Sequence, residues 1–140
     1  MCLANERLVT GTPPTHAWCA VRTTEKPGVY EAAFGRDWYL IGQWYDAHYQ
    51  PTDRRSYIPE DEGEAWGFHV FKRYEDARDL AVALSRSPFT PPIAGVYAVA
   101  YVEIDRVVAE GKGITGKPQP SPAYRAMRRK IISVYFLKEA

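Results

Sequence analysis

The sequence lacks the features that direct a chain to a membrane or to a strongly charged partner. No apolar run approaches the length of a membrane span, and the N-terminus has neither the basic nor the apolar region of a signal peptide. The formal net charge is only +1, so attraction to nucleic acid or to an anionic membrane is weak. We therefore expect a small soluble cytoplasmic protein without a membrane partner, and nucleic acid is not favoured.

Cysteine and histidine are scarce, which limits disulfide and metal chemistry. Two cysteines in 140 residues do not make a disulfide framework, although a Cys2–Cys19 pair stays open. His16 and Cys19 lie three positions apart in a predicted strand, so their side chains point to opposite faces and do not form a zinc site. We expect no metal.

Familiar catalytic and phosphate-binding motifs are also missing. No Gly-x-Ser-x-Gly segment marks a hydrolase nucleophile. Residues 111–117 have the glycine and lysine spacing of a phosphate-binding loop, but Pro118 stands where that loop needs a hydroxyl. The prolines beyond it also prevent the helix whose amides would hold a phosphate. No cofactor is expected from these patterns.

The stretch from residue 66 to residue 84 carries the clearest structural pattern. Phe68 and Val70 alternate with His69 and Phe71, which is typical of a strand. Apolar residues then recur at helical spacing, at Ala77, Leu80, Ala81 and Leu84. Proline stops the pattern after residue 86, so we predict one main helix over about 74–86.

A second strand pattern follows the helix. Residues 95–104 are apolar at nearly every position, which predicts a central strand covered on both faces. We expect one alternating set to lie under the helix, and this set is Val96, Ala98, Ala100 and Val102. The other set, Tyr97, Val99 and Tyr101, is expected to face away from the helix.

These patterns predict an α+β fold. We expect a single domain over residues 1–140, with a bent, mostly antiparallel sheet of about six strands and the one helix. The loops and arms are predicted from composition and length. They are an irregular arm over 1–15 and long loops over 50–65 and 111–122.

Candidate ligand-binding residues are aromatic or basic. Trp38, Trp44 and Tyr45 offer ring faces for stacking, and Tyr124 precedes Arg125 in a short apolar context. We expect Arg125 to point inward, where its charge needs an anionic partner. The basic run over 128–130 is interpreted instead as a solvated turn.

Two residues are candidates for catalysis. Removal of Met1 would leave Cys2 with a free α-amine, which titrates near neutrality and can act as a base. His69 lies in the middle of an apolar strand and is the first choice for a partner base. A packed or solvent-facing Cys2 without a catalytic role is the alternative.

Several of these segments carry a family resemblance. Residues 1–4, 38–45, 67–71 and 124–126 are similar to a family of small phage and prophage proteins without an assigned function. The resemblance implies a similar fold and a phage-linked setting. Residues 67–71 and the following helix also resemble ADP-ribosyltransferase-like domains, which act on NAD. In that likeness His16 would stand for the early-strand histidine, but the His-Gly-Thr context is absent.

Three classes of function follow. The leading hypothesis is a small phage-associated binding protein that recognises a nucleotide-like ligand or a host protein. The second is an enzyme, either a hydrolase or transferase with Cys2 as nucleophile and His69 as base, or an ADP-ribosyltransferase-like protein. The third is a structural protein–protein interaction module.

The nucleophile hypothesis predicts an unusually reactive Cys2. Its neighbouring α-amine should lower the thiol pKa, so alkylation by iodoacetamide should be faster at pH 7 than for an ordinary thiol. Mass spectrometry of alkylation rates against pH checks this, with a model cysteine peptide as the reference. A rate profile that matches the peptide would exclude the N-terminal nucleophile.

Overall fold

The computed structural model describes residues 4–33, 37–47, 67–86, 96–113 and 121–137, with side chains from Arg7 onward. Within these ranges the chain forms one helix and eight strands. They are β1 (Ala4–Arg7), β2 (His16–Thr23), β3 (Val29–Ala32), β4 (Trp38–Leu40), β5 (Trp44–Asp46), β6 (Phe68–Phe71), α1 (Tyr74–Ser85), β7 (Tyr97–Gly113) and β8 (Ser121–Phe136). The predicted α+β class, with one helix and a bent antiparallel sheet in a single domain, is confirmed.

The sheet is built around the long antiparallel pair of β7 and β8. Each of these two strands also pairs along its other edge. There β7 pairs with β2 and β1, and β8 pairs with β6 and β5. Strand β6 also pairs with β2, where Phe71 lies opposite Trp18. The pairings β2–β7–β8–β6 therefore return to β2, and the sheet curls into a ring.

Apolar side chains pack on both faces of this ring. All four ring strands contribute to one cluster, which we call the interior; its buried members are Ala17, Cys19, Val21, Val70, Ala98, Ala100, Val102, Ile104, Ala126 and Ile131. The other cluster lies between the sheet and α1, on what we call the helix face; its buried members are Ala20, Phe71, Ala77, Leu80, Ala81, Tyr97, Val99 and Ala123. Each face of β7 is thus covered, as predicted for a central strand.

The predicted assignment of faces in β7 is wrong. Tyr97 and Val99 pack under the helix, whereas Ala98 and Ala100 lie in the interior. Period-two alternation separates the two sets but does not say which set faces the helix. In this part of β7 the alanines face the interior, and the larger Tyr97 and Val99 pack beside the alanines of α1.

The helix begins at Tyr74 as predicted and ends at Ser85, one residue before the predicted end. Arg73 at its N-cap makes no side-chain cap. Instead the fully buried carboxylate of Asp76 accepts hydrogen bonds from Arg73 Nε at 3.0 Å and from Ser121 Oγ at 2.8 Å. The bond from Ser121 ties the start of the helix to the start of β8.

The helix has 12 residues, whereas a bilayer crossing needs about 20. In the described part of the chain no helix is long and apolar enough to cross a membrane.

The predicted arm and loops need correction where they are described. Ala4–Arg7, inside the expected arm, forms β1 and pairs with β7 near Lys112 and Glu110. Residues 111–113 and 121–122, inside an expected loop, are the ends of β7 and β8. Their glycine, lysine and proline content favours a loop locally, but pairing with a neighbouring strand overrides that preference. The predicted loop over 50–65 lies outside the described residues.

Position 113, the last residue of β7, requires glycine for a steric reason. A Cβ atom there would lie 2.6 Å from Phe71 Cε1 and 3.2 Å from Ala123 Cβ, so a larger residue does not fit. The last residue of β7 is therefore packed against the helix-face cluster.

Phe71 tests the helix-face core, because it is 1% exposed. We expect Phe71→Ala to lower the free energy of unfolding by about 3–5 kcal/mol through lost burial and a cavity. Phe136, which is 61% exposed, is the matched control, and Phe136→Ala should change it by about 0.5 kcal/mol or less. Urea denaturation followed by circular dichroism measures both, and equal losses would contradict this packing.

Candidate functional site

His69 and Arg125 are brought together. They lie opposite each other in the pairing of β6 with β8 and are both half-buried. By strand alternation they share the side of the sheet on which Phe71 packs under the helix. Gly67 makes room for Arg125, because a Cβ at this glycine would lie 2.9 Å from Arg125 Cγ. Arg125 is thus half-buried on the helix-face side of β8 rather than in the ring interior.

The other predicted ligand-binding residues lie in separate places. Tyr124 packs against the interior cluster, on the opposite face from Arg125. Tyr45 contacts the ring of Tyr39 edge to face at 5.0 Å, and its hydroxyl accepts a hydrogen bond from the Leu40 amide at 2.9 Å. Trp38 in β4 is 60% exposed. Cys2 lies outside the described residues, so its predicted role is untested.

Trp44 lies on the outer surface of β5, next to the basic run of β8. Arg128 and Lys130 place their charges 4.8 Å and 5.0 Å from the centre of its indole ring. Arg128 also bonds to Asp46 and Asp105, and Lys130 bonds to Glu103. These cations already have acidic partners, so the surface around Trp44 offers little to an anionic ligand.

An open depression of about 490 Å³ lies where the C-terminal end of β7 pairs with the N-terminal end of β8. Its lining comes from β1, β7, β8 and the residue after β6: Arg7, Lys72, Glu110, Gly111, Lys112, Pro122, Ala123 and Tyr124. Of the residues proposed from the sequence, it contains Tyr124. The predicted residues therefore do not converge on one pocket.

Strand register explains why this lining comes together. Arg7, Glu110 and Tyr124 lie in one row across β1, β7 and β8, and Lys112 and Pro122 lie opposite each other two residues along. The backbone amide of Lys72 donates to the Pro122 carbonyl at 3.3 Å and holds the end of β6 beside this row.

The charges in the depression are unbalanced. Arg7 Nε lies 2.8 Å from Glu110 Oε1, so these two residues neutralise each other. No acidic partner for Lys72 or Lys112 occurs among the described residues. The depression therefore carries two positive charges beside the half-buried ring of Tyr124, an arrangement that attracts an anion with an apolar part.

Arg129 is a second unusual group, and it was interpreted from the sequence as part of a solvated turn. It lies in the middle of β8 and is only 6% exposed. Its guanidinium carbon lies 4.6 Å from the centre of the Tyr39 ring and 4.3 Å from that of Phe68. Its Nη1 contacts the Sγ of Cys19 at 3.5 Å. Cys19 is a free, buried thiol.

This environment changes how the neighbouring groups titrate. Burial raises the pKa of the Cys19 thiol, and the Arg129 charge offsets part of that rise. Burial also raises the pKa of the Tyr39 hydroxyl, again partly offset by Arg129. Both groups are therefore neutral near pH 7.

The sequence contains a weak signal for the inward position of Arg129. In a strand that includes residues 128–131, alternation places Arg129 on the same face as the apolar Ile131, which is buried in the structure. Treating the three basic residues as one solvated run hid this alternation.

No group of three or more histidine, cysteine or acidic side chains that could hold a metal occurs in the part of the chain described. No protein-family model matches the chain, and comparisons with curated proteins and with solved structures find no match.

The buried thiol makes stability depend on alkaline pH. Above about pH 8.5 an unfolded cysteine loses its proton, whereas folded Cys19 keeps its own. The unfolded state then binds fewer protons, so stability is complete below that pH and falls as pH rises. We expect urea unfolding free energies to fall more steeply between pH 8 and 10 in the wild type than in Cys19→Ala. Parallel pH profiles for the two proteins would contradict this origin.

Proposed function

We propose that the protein is a small binding protein whose ligand is an anion of the nucleotide kind, held in the depression between β1, β6, β7 and β8. One observation carries the proposal: Lys72 and Lys112 line the depression without acidic partners in the described chain, next to Tyr124. Phosphate is the natural partner for two such ammonium groups.

The remaining lining suits the rest of a nucleotide. Tyr124 and Pro122 offer apolar surfaces against which a base can pack. Glu110 is held by Arg7 Nε and by Thr10 Oγ1 at 3.4 Å, so its carboxylate is fixed at the rim of the depression. A fixed carboxylate accepts hydrogen bonds from sugar hydroxyls.

Titration calorimetry with AMP, ADP, ATP and NAD tests the proposal. We expect Lys72→Gln and Lys112→Gln each to weaken binding of the tightest nucleotide by about tenfold, because each removes one charge-assisted bond to phosphate. Lys26→Gln is the matched control, since Lys26 lies on the turn between β2 and β3 and should leave affinity unchanged.

The panel also separates the rival functions. Equal losses in the two depression variants and the Lys26 control would indicate general charge attraction and would contradict a site. No heat and no rise in melting temperature with any nucleotide would exclude the nucleotide ligand and favour a host-protein partner. Consumption of NAD would favour the ADP-ribosyltransferase-like alternative. The phage-linked setting and the cytoplasmic location stay predictions.

A further inference from the structure

Arg129 places a buried positive charge in the interior of the ring, and no carboxylate of the described residues neutralises it. Arg129 lies in register with Ile104 of β7 and Tyr45 of β5. Its neighbours in sequence, Arg128 and Lys130, point outward to the acidic residues of β5 and β7. Alternation therefore sends Arg129 to the opposite face, where no carboxylate among the described residues pairs with it. A buried cation without an anion is costly.

The groups around Arg129 do not supply the missing charge. Cys19 accepts from Nη1 but is a neutral thiol near pH 7, because burial raises its pKa. Tyr39 and Phe68 contribute ring faces, which stabilise a cation without neutralising it. Tyr45 uses its hydroxyl to accept from the Leu40 amide at 2.9 Å.

The second terminal nitrogen of Arg129 is also unsatisfied. Its Nη2 is buried and has no acceptor in the described part of the chain. Buried donors in folded proteins are nearly always paired with protein, water or an ion. Here an anion is favoured over water, because an anion would accept the hydrogen bond from Nη2 and would also neutralise the guanidinium charge.

We propose that Arg129 Nη2 forms an interior site for a small inorganic anion, and that halides are its ligand class. Nη2 is a buried donor without an acceptor among the described residues, and the rings of Tyr39 and Phe68 flank its guanidinium. A spherical monovalent anion needs few donors, whereas phosphate or a carboxylate would bring several oxygens that this interior does not satisfy. The site is independent of the proposed nucleotide depression.

The first test is the effect of chloride on melting temperature. At constant ionic strength, replacing gluconate with chloride up to 300 mM should raise the wild-type Tm saturably by a few degrees. Arg129→Met should abolish this rise. Arg128→Met, which removes an outward-facing charge from the same strand, should keep it. A chloride effect that persists in Arg129→Met, or none in the wild type, would overturn the proposal.

The second test does not depend on the variant folding. Crystals of the wild type soaked in sodium bromide should show an anomalous peak within hydrogen-bond distance of Arg129 Nη2, with an occupancy that chloride competes away. Water without anomalous signal at that position, or bromide found only on the surface, would show that the guanidinium is hydrated and that no halide site exists.

Discussion

The backbone ladder between β7 and β8 is the interaction on which the fold depends. Strands of 17 and 16 residues pair from Ala98 opposite Phe136 to Gly113 opposite Ser121, with two irregularities in register. Strands as short as β1, β4, β5 and β6 are not stable alone. Three of them are stabilised by backbone pairing with the outer edges of the long pair: β1 pairs with β7, and β5 and β6 pair with β8.

The same ladder also sorts charge and size between the two faces. Irregularities after Tyr101 and after Val107 bend the pair, and Arg106 takes a left-handed backbone conformation with φ of 54°. The resulting curvature helps to close the ring around the interior cluster. In β8 the side chains of Arg128 and Lys130 point outward and pair with acidic residues. The side chain of Arg129 points inward, where it contacts the Cys19 thiol and the rings of Tyr39 and Phe68.

How much can be predicted from sequence depends on how local the cause is. The helix was predicted within one residue because Leu80 and its neighbours repeat at helical spacing. The ends of the long strands were missed because Gly113 and Pro122 look like loop residues until a partner strand pairs with them. The inward position of Arg129 was missed because three consecutive basic residues look like a solvated turn until β8 pairs with β7 and places Arg129 opposite Ile104. The depression could not be predicted either, because its lining residues come from four separate segments that only strand pairing brings together.

The ring is closed by its shortest seam. Among the described residues, β6 shares four residue pairs with β8 but pairs with β2 at one position, Trp18 opposite Phe71. Separating β6 from β2 therefore breaks fewer backbone bonds than parting any other two ring strands, and native-state opening should begin there. Amide protons beside this seam should then be the first in the ring to exchange with deuterium.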